Sequence, residues 1–226
     1  MNLHSLFDNA LLAEREGRYH EALTMFLSCL TEDDHDEGEV LFHCGWCTEQ
    51  EGGDKSDHAL QFYELAATQS RQPECKLNSF FRAGWLLMQQ KEHAKGAIMF
   101  RHAIDYGDLS YYKNDTYHQS AFWYAVCVES QGWYIEAIRW YRLVRILSQK
   151  LDPECRLREL SCLNQIGSYD EAYNLCQTFD EPPPAGFEAN RYHEIRTAVL
   201  REREMLHHCL SERPILQEHP VNHGSR

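Results

Sequence analysis

Apolar residues return every third or fourth position through long stretches of this chain, as in AFWYAVCVESQ (121–131) and EAIRWYRLVRIL (136–147). That spacing lines one face of an α-helix with core-facing side chains. Alternating strand patterns and Asn-Gly hairpin signals are absent. Between helical stretches, EGRYHEA (16–22), QGWYIEA (131–137) and IGSYDEA (166–172) each place a glycine, then an aromatic, then an acid. Glycine closes a helix, and an acid favours the first turn of the next. The pattern predicts helix, glycine turn, helix, repeated along the chain.

The repetition has a fixed phase. Ala10 is followed by Gly17, Ala22 and Phe26; Gly45 by Ala59, Tyr63 and Ala66; Gly84 by Gly96, Phe100 and Ala103; Ala125 by Gly132, Ala137 and Tyr141; Leu160 by Gly167, Ala172 and Cys176. In four of these five registers the first and second key positions are twelve residues apart, and the exception carries two extra residues around Gly52, Gly53 and Asp54. Small residues at both positions allow two antiparallel helices to cross closely, and an aromatic one turn later fills the gap. The fifth register departs, with Leu160 and Cys176 where small and aromatic residues are usual.

Through Ala22-x3-Phe26, Ala59-x3-Tyr63, Ala137-x3-Tyr141 and the pairs Gly45-Trp46 and Gly84-Trp85, residues 3–186 resemble the tetratricopeptide-repeat family. The resemblance implies an all-α, right-handed solenoid of about five helix-turn-helix repeats, at 3–37, 38–76, 77–117, 118–152 and 153–186. The successive spacings of 35, 39, 41 and 35 residues imply inter-repeat loops or helix extensions at SRQPECK (70–76) and at 105–120. After the proline break EPPPAG, a helix over 187–211 with apolar Phe187, Tyr192, Ile195, Val199, Leu206 and Leu210 is expected to cap the solenoid. Residues 212–226 lack periodicity and are expected to form a flexible tail.

In the family this chain resembles, the first helix of each repeat lines the inner, concave surface. The partner-binding residues implied are Phe7, Leu11 and Glu14, then Glu39, Phe42, Trp46 and Glu49, then Phe81, Trp85 and Met88, then Phe122, Val126 and Glu129. Repeat five is more polar there, with Leu157, Ser161 and Asn164. Such a stripe suits a protein or peptide with apolar anchors and neutral-to-basic flanks. The same rings also fit a reading as core between helices. Members that clamp an acidic carboxyl-terminal tail use Lys and Asn on this face, where this chain has aromatics and acids, so that role is not expected.

Composition agrees with a folded, non-exported chain: 43% of residues are hydrophobic and 12% aromatic, without a basic leader or an apolar run of membrane-spanning length. A cytoplasmic setting is the expectation. The net charge of −13 disfavours nucleic acid and anionic membrane as partners. Nine scattered cysteines, an odd number, point to reduced thiols rather than a disulfide scaffold.

Two alternatives to the scaffold reading concern other chemistry. Cys44 and Cys47, in FHCGWC beside His43 and with His58 nearby, have the spacing of a redox or metal motif. Mid-helix placement removes the helix-start dipole that activates such a thiol, and no second Cys-x-x-C completes a zinc set. The other alternative is self-association as a structural subunit, a homo-oligomer. The acid run TEDDHDEGE (31–39) reads as a solvated loop, because its spacing is not that of a calcium loop. No nucleophile elbow, phosphate loop or zinc-protease motif appears, so no enzymatic activity, cofactor or metal is expected.

Overall fold

The computed structural model describes residues 6–31, 35–53, 55–106, 114–180, 182, 184 and 187–211. Among them are eleven α-helices and no strand. Five antiparallel pairs follow one another: α1 (Leu6–Arg15) with α2 (Tyr19–Cys29), α3 (Glu37–Glu51) with α4 (Ser56–Gln69), α5 (Pro73–Gln89) with α6 (His93–Tyr106), α7 (Asp115–Ser130) with α8 (Tyr134–Leu147), and α9 (Asp152–Gln165) with α10 (Tyr169–Gln177). A short 3-10 turn, Thr178–Asp180, precedes α11 (Ala189–Ser211). Each helix packs on its neighbours in chain order, with added contacts between α3 and α5, α5 and α7, and α9 and α11. That is a solenoid, in which a hairpin touches only the hairpins beside it.

The crossing within each pair has the geometry that small residues permit. A Cβ on Gly45 would stand 2.9 Å from the Tyr63 ring, and one on Gly84 2.9 Å from the Phe100 ring. Phe26, Tyr63, Phe100 and Tyr141 are fully enclosed. In the fifth pair the bulk changes sides: Leu160 takes the small residue's place, Cys176 the aromatic's, and both are buried in one shared cluster.

At the two places where a loop or a helix extension was expected, part of the segment is helix. SRQPECK is not all loop, because α5 begins at Pro73, where a fixed φ suits the first helical turn. Likewise α7 begins at Asp115, with the Asn114 side chain accepting a hydrogen bond from the Thr116 N–H at 2.7 Å. The longer second and third periods are therefore partly helix extension. Residues 107–113, most of EPPPAG, residues 32–34 of the acid run and the 212–226 tail lie outside the described residues.

In the first, fourth and fifth pairs the turn closes with one hydrogen-bond pattern, Arg18 N–H to Ala13 carbonyl, Trp133 to Val128 and Ser168 to Leu163, around glycines with φ of 75–81°. In the third pair that left-handed place is held by Lys91, φ 64°, with Glu92 N–H bonding the Leu87 carbonyl. A side chain there carries a steric cost of about 1–2 kcal/mol. Lys91→Gly should accordingly raise stability by about 1 kcal/mol, read by urea denaturation; an unchanged or lower midpoint would contradict the assignment of strain to Lys91.

At the end of the array, α11 lays Tyr192, Ile195, Val199 and Leu206 into the main core beside α9 and α10. Its opposite side is mostly charged and exposed, with Arg196, Arg201 and Glu204. Arg191 reaches Glu154 of α9 at 2.6 Å, and Arg203 reaches Asp180 at 3.1 Å.

Candidate functional site

The first helices of successive pairs meet through side chains, Glu14 with His43, Glu49 with Arg82, Trp85 with Trp123 and Glu129 with Arg158, and so share one face. Four phenylalanines recur on it, each meeting the enclosed aromatic of its own pair: Phe7 on Phe26 with centroids 5.6 Å apart, Phe42 on Tyr63 at 5.6 Å, Phe81 on Phe100 at 5.9 Å, and Phe122 on Tyr141 at 6.0 Å. Phe7, Phe42 and Phe81 are half-buried and Phe122 is buried. These rings therefore hold the pairs together, and the first three also show an edge to solvent. Leu11 and Met88 are half-buried against the core, and Val126 is buried.

The tryptophans link neighbouring pairs instead. Arg82 of α5 lies over the Trp46 ring of α3 at 4.8 Å, and Trp85 of α5 meets Trp123 of α7 edge-on at 5.0 Å. Trp123 was not among the residues that the sequence reading placed on this surface. One position along from Phe122, it sits where Arg82 and Arg158 sit in their helices.

The inner acids are all engaged. Glu14 meets His43 at 2.7 Å, and the Cys47 thiol lies 3.8 Å from the same carboxylate. Glu49 accepts from the Tyr63 hydroxyl at 2.8 Å and forms an ion pair with Arg82. Glu129 accepts from the Tyr141 hydroxyl and pairs with Arg158 at 3.1 Å. Glu39 accepts from the Gln72 side-chain amide at 3.3 Å. One device thus recurs at the second and fourth pairs: glutamate of a first helix, tyrosine of its second helix, arginine of the next first helix.

At the third pair all three members change together. Met88 stands for the glutamate, Phe100 for the tyrosine and Trp123 for the arginine. Removing every member at once strands no buried charge, whereas removing one would. Phe81, Trp85, Met88 and Trp123 consequently form an uncharged stretch between the Glu49–Arg82 pair and the Glu129–Arg158 pair.

Further along, α9 and α11 frame a hollow of about 580 Å³ lined by Glu129, Leu157, Arg158, Ser161, Asn164, Arg191 and Glu202 among others. Asn164 donates to Glu202 at 3.0 Å there. The hollow thus begins at the Glu129–Arg158 pair that bounds the apolar stretch.

Cys44 and Cys47 lie mid-way along α3 and are enclosed. Burial pushes both thiols up to about 12, assisted at Cys47 by the Glu14 charge. A nucleophilic or metal-binding thiol requires the opposite shift. Among the described residues no group of three or more His, Cys, Asp or Glu is arranged to hold a metal ion. No helix of the described residues is long and apolar enough to cross a membrane.

Serial helix hairpins with a shared inner face define the class: the chain has the tetratricopeptide-repeat fold. The solved structures it is similar to include YrrB, described as a TPR protein with an unusual peptide-binding site, with a TM-score of 0.62 and 11% identity over 91% of this chain and 90% of that one. MamA of AMB-1 matches with a TM-score of 0.57 and 15% identity over 77% of this chain and 95% of that one. A putative kinesin light chain from Podosopora anserina, with nearly identical TPR-like repeats, matches at 0.55 and 10% identity over 92% and 96%. At such identities the likeness is one of fold alone. No family model and no curated protein matches the chain.

Proposed function

We propose that this chain is a non-enzymatic scaffold whose concave face holds a segment of a partner protein. The observation that carries the reading is the uncharged stretch of Phe81, Trp85, Met88 and Trp123. An extended segment or an amphipathic helix would bury its apolar anchors there. Because Glu49 and Glu129 already have arginine partners, the flanks of that segment are neutral rather than strongly basic. Phe7, Leu11, Glu14, Glu39, Phe42, Trp46, Phe122 and Val126 extend the surface on either side, and α11 closes its far end as a cap.

Trp85→Ala should abolish capture of the partner in an affinity pull-down followed by mass spectrometry, a loss of about 2 kcal/mol or more in affinity. Its helicity and thermal midpoint should stay close to wild type, since the ring packs on Trp123 at the surface and not within the hairpin crossing. Undiminished capture by the variant, or its collapse on heating, would show that this tryptophan serves the fold rather than recognition.

A further inference from the structure

The five hairpins share one architecture, so each repeat serves as a control for the others. At the edge where first helices turn into second helices, most side chains follow the solvent. The residue four before the second-helix small position is Arg18, Lys55, Glu92 and Ser168 in repeats one, two, three and five, but Trp133 in repeat four. Two positions later stand His20, Asp57, Ala94 and Asp170, against Ile135 in repeat four. Six before the same small position come Glu16, Gly53, Gln90 and Gln131, against Ile166 in repeat five.

These three exceptions converge. Trp133, Ile135 and Ile166 are 59%, 60% and 40% exposed, although the fold demands no apolar side chain at any of the three places. Together with Tyr124, Gly132, Tyr134, Glu136 and Arg139 they line one open hollow of about 490 Å³. Scattered surface isoleucines need no explanation, but three large side chains gathered around a single hollow, where sister repeats are polar or small, mark a contact surface.

The charges at its rim select the occupant. Glu136 is engaged, accepting from the Trp140 indole N–H at 2.8 Å. Arg139 is exposed and, like Arg15, Arg71, Arg196 and Arg201, has no ion pair among the described residues; of these it alone lines this hollow. A guanidinium beside apolar surface favours a carboxylate that arrives with its own apolar neighbour. A second copy of the chain fits less well, since each copy brings a net charge of −13.

We propose that this edge of repeats four and five is a second docking surface. It takes a segment of another protein that places a large apolar side chain in the hollow and an adjacent Asp or Glu on Arg139. Lying at the helix turns rather than on the concave face, it would let the scaffold hold two partners at once.

The test is to pan a displayed random-peptide library on the full chain. A parallel selection uses the variant Trp133→Ser, Ile135→Asp, Ile166→Gln, in which each change installs a residue that a sister repeat already carries. Peptides with an aromatic or large aliphatic residue next to an acid should be enriched on the wild type only. A synthetic peptide of the enriched sequence should lose at least about tenfold in affinity to the triple variant and to Arg139→Ala, and nothing to Trp85→Ala. Circular dichroism should show wild-type helicity for the triple variant; should it not, Ile135→Asp alone carries the comparison.

The proposal is overturned by enrichment equal on both chains or absent from both, by basic peptides, or by binding that Trp85→Ala removes. A concentration-dependent dimer in sedimentation that the triple variant abolishes would overturn it in favour of a second copy. Failure of the concave-face reading leaves this result untouched, because the two variants report separately.

Discussion

Gly38→Ala should lower the stability of this protein by about 3 kcal/mol or more, at the upper end of what overpacking costs. A Cβ on Gly38 would lie 2.2 Å from the backbone nitrogen of Ser70 and 2.3 Å from its Cα. No side-chain rotation relieves a clash with backbone. The corner cannot slide aside either: Ser70 N–H bonds the Ala66 carbonyl at 3.0 Å, and the Asp36 carboxylate accepts from both Glu39 N–H and Arg71 N–H at 3.0 Å. Alanine would gain about 1 kcal/mol of helix propensity over glycine, which is too little to offset the overlap. The loss corresponds to a fall of roughly 6–12 °C in thermal midpoint for a chain of this size. Gly84→Ala supplies the comparison, since the atoms nearest its Cβ belong to the Phe100 side chain rather than to backbone, and a smaller loss is expected. A Gly38→Ala protein melting at the wild-type temperature would refute the tight corner.

Raising the pH should unfold the chain cooperatively between about pH 9.5 and 11. Cys44, Cys47, Cys127 and Cys162 are pushed up to about 12 and Cys176 to about 11, in each case mainly by burial, and burial raises Cys155 as well. The unfolded thiols titrate near 9, so above that pH the unfolded chain releases protons that the folded chain retains. Stability is then fully present below about pH 9 and falls as pH climbs toward the folded values, by about 1.4 kcal/mol per pH unit for each such thiol. Six thiols acting together consume a typical margin of about 5–15 kcal/mol within one to two pH units. Tyr63 and Tyr141, raised by burial and by Glu49 and Glu129 respectively, add in the same direction. Growing negative charge also destabilises an acidic chain at high pH, and the double variant Cys44→Ala, Cys47→Ala isolates the thiol share: its midpoint should depend less steeply on pH. A thermal midpoint that is flat from pH 8 to about 10.5 would count against enclosed thiols.

Much of the fold could be read from the letters because every hairpin repeats the same steric demand. Gly45 against Tyr63 and Gly84 against Phe100 are contacts that the twelve-to-fourteen-residue phase of the small positions, with an aromatic one turn later, announces. The helix starts at Pro73 and Asp115 were less legible, since proline and a run of small polar residues mark an end as readily as a beginning. The inner surface was readable in outline only. That Phe42, Phe81 and Phe122 fall on one side of their helices follows from spacing, but the aromatic each one meets lies in the other helix of its pair. The Glu–Tyr–Arg device spans up to 33 residues, as from Glu49 to Arg82, and no local window contains it. Comparing repeats position by position would have exposed it, because Met88, Phe100 and Trp123 depart in unison.

The exchange of bulk between Leu160 and Cys176 bears on how such a chain diverges. What the fifth hairpin must keep is the summed volume of two facing places, and either helix can supply it. Constraints of that kind act on sums rather than on single letters, so compensated changes can accumulate until a column-by-column comparison finds little to score while the backbone path is retained. A molecule assembled from such trades can stay superimposable on distant neighbours long after its spelling has drifted beyond their reach.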